Sequence, residues 1–418
     1  MKNYKKVYAA FILAGGLILH GCNGIFDDLA INPNQPSMGA YFTSPSAVND
    51  AVMTMYGYMS TQRCLGASGS KTTIIRSDEA SSNSDYGKPG MFGADLNASY
   101  YTIEQPYTLM YTTASQASYI IETAPSVDFS GNEEMRNAYM GEAYFWRAFA
   151  HYYLLINFRN ISPIRQMPRN GDDYVRPLEK PAAVWDFIQE DLAHAKELLP
   201  VKGYWDSKNA GRVTKASAAA LLGKAYLYRS GIEQYYGEDK TTFYSEAAKE
   251  FGDVIDGKYG TYDLTKNYAD NFDVAHENNE ESILEFQFLG DVDNAGFNPG
   301  LATSGLAFDS RGLMLPGAGV GYEGVVHNWL YNAFVNSVDK DGYTDIRMFS
   351  TMIFNDLDAS IHLRNDAGGN PVRLEGPGGY KWEELYPAKN GKEGFATVSN
   401  PLAHSFKAGI RKGSDCSM

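Results

Sequence analysis

Two kinds of chemistry are open to the side chains of this sequence. The first is bond cleavage by paired acids, for which Asp78-Glu79 and Glu280-Glu281 have the right residue types. A glycosidase pair is defined by a gap of about 5 to 9.5 Å across the scissile bond, which adjacency in sequence does not provide. The second is non-covalent capture. A sugar ring presents C–H groups on one face and hydroxyls around its edge, so it asks for an aromatic platform beside amide, carboxylate or guanidinium groups. Thirty tyrosines against 21 phenylalanines supply rings that tolerate partial exposure. Two long irregular segments, 77–101 and 290–324, combine such rings with polar amides, and loops of that length in a compact protein are usually functional.

Other chemistry finds no support. There is no H-E-x-x-H, G-x-S-x-G or G-x-x-x-x-G-K-[ST] pattern, and the seven histidines are scattered. His151 sits in a stretch dense with aromatics and reads as a core residue, Arg147 as an internal ion-pair partner, and Trp146 and Trp185 as core on apolar helical faces. Asp341, Asp345 and their neighbours offer too few oxygen donors for an EF-hand loop. No enzyme activity, metal or cofactor is expected.

Cys22 has a chemistry of its own. Thirteen mostly apolar residues, Val7 to Leu19, follow Lys2, Lys5 and Lys6 and run into Leu19-His20-Gly21-Cys22. The stretch is too short to span a hydrocarbon core of about 30 Å, and its flanks suit export and cleavage as a lipoprotein signal peptide. Cys22 then becomes the lipidated first residue, although His20 stands where a small residue is usual. Residues 22–45, rich in Asn, Asp, Pro and Ser, read as a tether. The Asp27-Asp28 pair within it is similar to acidic surface-export signals of Bacteroidetes lipoproteins.

Removing residues 1–21 takes three lysines from the 36 basic side chains and leaves 33 against 50 acidic ones, a formal charge of −17. That surplus argues against nucleic acid, whose phosphates need Lys and Arg to displace counterions. Besides Cys22 only Cys64 and Cys416 occur, so there is no disulfide framework or paired CxxC metal site.

The elements that must position these residues are mostly helical. Between Glu133 and Arg159, Met135, Tyr139, Ala143, Trp146, Phe149, Ala150, Tyr153 and Leu154 recur at steps of mostly three and four. Residues 46–60, 105–123, 182–199 and 214–228 repeat the pattern, with Pro181 at a helix start and Pro200 after a helix end. Leu222-Gly223 with Tyr226 fits the first helix of a tetratricopeptide unit, where a glycine lets the second helix approach. Ala247, Phe251 and Val254 continue it after an insertion, Ile232 to Thr242. Beyond Gly260 the texture turns to loops, with a strand expected at Ser282 to Leu289.

Several stretches, in order, resemble the SusD/RagB family of Bacteroidetes outer-membrane lipoproteins. They are Gly141-Glu-Ala-Tyr-Phe-Trp-Arg-Ala-Phe149, Val175-Arg-Pro177, Val184 to Pro200, Gly211-Arg-Val-Thr-Lys215 with the Ala-rich helix after it, Tyr259 to Leu264, Phe272, Asn279-Glu-Glu-Ser-Ile283 and Asp345-Ile-Arg347. The resemblance implies a mainly α fold of tetratricopeptide-like hairpins (46–259) with a loop-rich second part carrying short strands (260–418). It implies a glycan-binding lipoprotein, lipid-anchored at the outer membrane and exposed on the cell surface, that acts with a SusC-like TonB-dependent transporter and performs no covalent chemistry.

Because family ligand sites form from loops in the two irregular regions, Arg76, Asp78, Asn83, Asp85, Tyr86 and Tyr100, in or beside the first, and Phe297, Asn298, Tyr322 and Trp329, in or beside the second, are the candidate ligand contacts. Trp205, among Gly203, Tyr204 and Asp206, is a further candidate. Members usually continue through a helix of R-x-A-E-x-x-L-x-x-A-E-A type, which nothing after Arg347 supplies, so the chain reads as truncated. Capture of peptides, a helical interaction scaffold and a glycoside hydrolase are the competing readings. If Cys22 carries the lipid, Cys22→Ala should move the protein from the membrane fraction to the soluble one on cell fractionation; continued membrane attachment would contradict it.

Overall fold

Ser44 opens the first helix, its Oγ accepting from the Ala47 N–H at 3.3 Å, with Pro45 at the position where a missing N–H costs nothing. The computed structural model describes residues 42–61, 64–65, 77–78, 80–81, 98–99, 101–167, 175–237, 239–272, 276–287, 325–345, 347–348, 352–353 and 404–405. The signal peptide, nearly all of the tether and the segment 290–324 lie outside them. Among the described residues the helices are α1 (Pro45–Met59), α2 (Tyr101–Thr123), α3 (Glu133–Phe158), α4 (Pro181–Leu198), α5 (Lys215–Tyr236), α6 (Tyr244–Ile255) and α7 (Asn328–Asn336). The fold is mainly α, as the periodicity predicts.

From α1 to α6, each helix packs against the next in the chain, and α1 also meets α3. Local chemistry sets the ends. Asn132 caps α3 by accepting from Met135 N–H at 3.2 Å, and Glu133 and Glu134 complement the helix dipole in its first turn. Ser217 reaches back to the Thr214 N–H at the start of α5, and Gly237 closes that helix in the left-handed region at φ 71°.

One core runs through α1 to α5, and a smaller cluster of Ala216, Ala219, Val254 and Tyr259 lies between α5 and α6. Trp146, Trp185, Phe145, Met55, Met59 and Met110 are fully buried within the larger core. Trp146 packs edge-on against Tyr56, Phe145 and Phe149 at centroid distances of 4.9 to 5.5 Å, and each such buried side chain contributes about 1.5–3 kcal/mol. Phe42 is already buried, edge-on to Tyr119 at 4.7 Å, so the folded part begins a few residues before the expected boundary at 46.

Two glycines permit the close approaches. A Cβ on Gly223 would lie 2.8 Å from Phe251 Cε1, so the tetratricopeptide-like glycine does admit the second helix of the α5–α6 hairpin. A Cβ on Gly141 would lie 2.9 Å from Leu199 Cγ and 3.0 Å from Leu199 N, which explains the glycine before Glu142: the end of α4 rests on it.

Two expectations need correction. The insertion expected at Ile232 to Thr242 is half helix, because α5 runs on to Tyr236 before Gly237 stops it. Residues 282–287 are not a strand. They lie as an irregular segment, bent at Ile283–Leu284, against α5, where Ser217 Oγ donates to Ile283 O at 3.0 Å and Leu284 and Phe286 are buried. Their apolar pattern answers to a helical layer, not to a sheet partner. The described strands are two-residue pieces, β1 (Ala80–Ser81), β2 (Val325–Val326), β3 (Met352–Ile353) and β4 (His404–Ser405), in the antiparallel order β1-β2-β4-β3.

The glycine geometry separates two otherwise similar substitutions. Replacing a helical glycine by alanine gains up to about 1 kcal/mol of helix propensity, which Gly57→Ala should realise because nothing lies within 4 Å of its Cβ position. Gly141→Ala should instead lose about 1–3 kcal/mol to overpacking against backbone. Urea melts of both variants check the opposite signs.

Candidate functional site

The pairing of β1 with β2 joins the two candidate regions. Ala80 stands opposite Val326 and Ser81 opposite Val325, and α7 begins two residues after β2. Trp329, in its first turn, therefore comes beside the first segment and donates its indole N–H to Asp78 O at 2.6 Å. That bond fixes one edge of an indole whose residue stays 48% exposed. An exposed ring normally swings freely; this one is held at its N–H edge. Asp78 is exposed beside it. Arg76, Asn83, Asp85, Tyr86, Tyr100, Phe297, Asn298 and Tyr322 lie outside the described residues.

Trp205 is used differently. Its N–H donates to Val213 O at 3.2 Å, the Arg212 guanidinium lies 4.3 Å over its ring, and Tyr204 meets it edge-on at 4.9 Å. It forms a wall of a cavity of about 250 Å³ shared with Lys202, Asp206, Tyr262 and Glu285. Much of its ring area is thus committed to covering Arg212.

What Arg212 does was not legible in the sequence. Its Nη2 donates to Glu142 Oε1 at 2.7 Å and its Nε to both carboxylate oxygens at 3.1 and 3.2 Å, while Nη1 reaches Asn49 Oδ1 at 2.8 Å and Asn209 Oδ1 at 3.2 Å. Tyr56 Oη donates to Glu142 Oε2 at 2.8 Å and accepts from the Val213 N–H at 2.8 Å. Burial pushes the Glu142 carboxyl up, opposed by Arg212 and the Tyr56 hydroxyl. Burial pulls Arg212 down, but Glu142 outweighs it and the guanidinium ends above its ordinary value. The contact has the geometry of an ion pair, with Arg212 Nη2 2.7 Å from Glu142 Oε1. Burial, then Glu142, raises Tyr56, which keeps its proton to donate. A signal existed: Glu142 is an acid in the middle of an aromatic helical face.

Arg147 and His151 match their sequence reading as internal residues. Arg147 forms a two-pronged pair with Asp191, both bonds 2.7 Å. Nε2 of His151 faces the Ile164 N–H at 2.9 Å and so accepts, which leaves Nδ1–H to donate to Arg147 O at 2.8 Å. Glu281 accepts from the Thr265 N–H and from Asn271 Nδ2, and so ties a loop. Among the described residues no three His, Cys, Asp or Glu gather as a metal site, and no helix is long and apolar enough to cross a membrane.

The fold and surface define a protein of packed helical hairpins that presents a fixed, exposed aromatic ring where two distant segments meet. Residues 30–227 match the family model SusD-like_3, "Starch-binding associating with outer membrane", and over that stretch the chain is similar to the family. A SusD-like protein of Bacteroides ovatus is 26% identical over 293 residues, 69% of this chain and 51% of that relative. SusD-like protein P2 of Formosa agariphila is 26% identical over 305 residues, 71% and 55% of the two chains. The chain thus spans about half the length of the curated relatives it matches. Among solved structures, a SusD superfamily protein from Bacteroides vulgatus superposes with a TM-score of 0.60 at 21% identity, over 76% of this chain and 63% of that one. A laminarin-binding SusD-like protein gives 0.59 at 22%, over 75% and 67%. These likenesses carry the fold.

His151 makes stability depend on pH. Burial and the nearby arginines lower its pKa from 6.5 to about 3. Between those values the unfolded chain binds a proton that the folded one does not, so stability falls as pH drops through this window, by up to ~1.4 kcal/mol per pH unit. His151→Gln should be less stable at pH 7, with the gap to the parent protein narrowing by pH 4 in denaturant titrations. A constant gap would assign the dependence to other groups.

Proposed function

We propose that this protein is a cell-surface lipoprotein that captures oligosaccharides or polysaccharides and passes them to a SusC-like TonB-dependent transporter in the outer membrane. The observation that carries the reading is Trp329, half exposed and held by its own N–H on Asp78 O. The indole is the largest aromatic face available for stacking on a sugar ring, and fixing it beforehand removes the ordering cost from binding. The acids and amides of the first segment would supply the edge contacts. A laminarin-binding protein of the same fold supports glycan as the ligand class.

The work is binding, with no bond made or broken. Glu281, one of the acids with glycosidase residue types, is occupied in loop hydrogen bonds. Lipidation at Cys22 would hold the protein at the membrane beside the transporter.

Calorimetric titration of residues 23–418 against laminarin, xyloglucan, starch and peptides tests this, with each mixture then chromatographed. Saturable binding of an intact glycan is expected, and Trp329→Ala should weaken it by about 1–3 kcal/mol. Unchanged affinity in Trp329→Ala would move the site, shortened glycan would make the protein an enzyme, and a response to peptides alone would replace the ligand class.

A further inference from the structure

A second cavity, of about 640 Å³, lies between the C-terminal end of α3 and the C-terminal half of α5, walled also by Tyr244 at the start of α6. None of its lining residues belongs to the Trp329 surface. Its size is that of small-molecule sites generally.

The floor is charged and rigid. Arg159 closes α3 at φ 59° and ψ −64°, and the Asn160 N–H bonds Phe158 O at 2.7 Å across it. This is the rare form of the γ-turn, strained for any residue with a side chain. What the strain achieves is visible: Arg159 donates to both oxygens of Glu233, at 3.1 and 2.8 Å, and lies 4.0 Å over the ring of Tyr236. Trp185 Nε1 donates to the same carboxylate at 2.9 Å, and Glu233 is 1% exposed. Strain of this kind persists where surrounding structure over-determines it, and it clusters at binding sites.

The rim is aromatic and amphipathic. Tyr228, Tyr235, Tyr236 and Tyr244 are between 39% and 84% exposed, and among the described residues no hydrogen bond engages their hydroxyls. An apolar partner surface would desolvate four phenols and an ion pair without replacing their hydrogen bonds, which is costly. A ligand with apolar faces and a hydroxyl-bearing edge would satisfy both the rings and the polar groups. We propose that this cavity is a second saccharide site, in which Tyr235 and Tyr244 stack on sugar rings above the Arg159–Glu233 floor. With two sites on one chain, a long glycan could be held at two points, so that release from one does not release the polymer. The inference shares with the proposed function only the class of ligand.

Gel electrophoresis of the full chain through laminarin, xyloglucan or starch separates the two. Trp329→Ala removes the other platform and should still be retarded by at least one of these polysaccharides. Adding Tyr235→Ala and Tyr244→Ala should abolish that retardation, whereas Tyr235→Phe with Tyr244→Phe, which keep the rings, should preserve most of it. Circular dichroism melts check that all variants fold, which the exposure of both side chains favours. Retardation of Trp329→Ala that survives loss of both tyrosines overturns the second site. So does a Trp329→Ala protein that runs freely while the parent is retarded, and that result leaves the capture reading standing. A parent chain retarded by none of the three overturns both. If the tyrosine variants keep full retardation but lose co-purification with an outer-membrane barrel protein, the cavity is a protein contact and the inference fails.

Discussion

A carboxylate and a guanidinium, both buried, constrain the helical part of this protein more than any apolar contact does. Glu142 and Arg212 come from helix α3 and from the turn before α5, and their cage draws in Asn49 and Tyr56 from α1. Removing two charges from water costs several kcal/mol per ion, and the loss is offset only when geometry and hydrogen bonding are nearly complete. Here every oxygen of Glu142 is engaged, and the guanidinium is roofed by Tyr139 and Trp205 at 5.0 and 4.3 Å. The apolar core and the close contacts at Gly141 and Gly223 limit the register sterically, and the ion pair adds a directional constraint to them. This cage can close in only one register, and so it helps to fix how α1, α3 and the start of α5 meet.

The same device recurs along the chain of hairpins. Arg147 and Asp191 join α3 to α4, Arg159 and Glu233 join α3 to α5, Lys196 and Glu250 join α4 to α6, and Arg229 joins α5 to Asp186 of α4. Each pair sits on an interface between helices and selects the partner as well as the register. Glu233 shows how the scaffold and the surface are coupled. It anchors Trp185 in the core and Arg159 at the cavity, so the strained end of α3 depends on the packing of α4 and α5.

The helical part was legible because its signals are local. Five apolar periods gave helices α1 to α5, and Gly223 with Phe251 gave the α5–α6 hairpin for the steric reason the repeat motif implies. Boundaries failed where a tertiary contact outweighed a local one. Phe42 joins the core through Tyr119 despite its polar surroundings in the chain, and the helix continues past Tyr228 into what read as an insertion. The run from Ser282 looked like a strand because burial against α5 imposes a similar pattern. Of the candidate site, sequence supplied the two regions but not the junction. Nothing in the residues around Asp78 announces a partner 251 positions away, because that contact is made by a backbone carbonyl, which carries no sequence signature. Glu142 and Arg212 stood within quoted motifs, yet their pairing across 70 residues is visible only in three dimensions.

The central claim is that the Glu142–Arg212 pair acts as a unit in holding the helices in register. A double-mutant cycle in urea with Glu142→Gln, Arg212→Met and the combined variant tests it most directly. Each single change should cost about 3–5 kcal/mol by stranding the other partner, and the combined variant should cost at least ~2 kcal/mol less than the sum, a coupling in the range that contacting residues show. Additivity within ~0.5 kcal/mol, the behaviour of independent sites, would contradict the account and return the register of the helices to apolar packing.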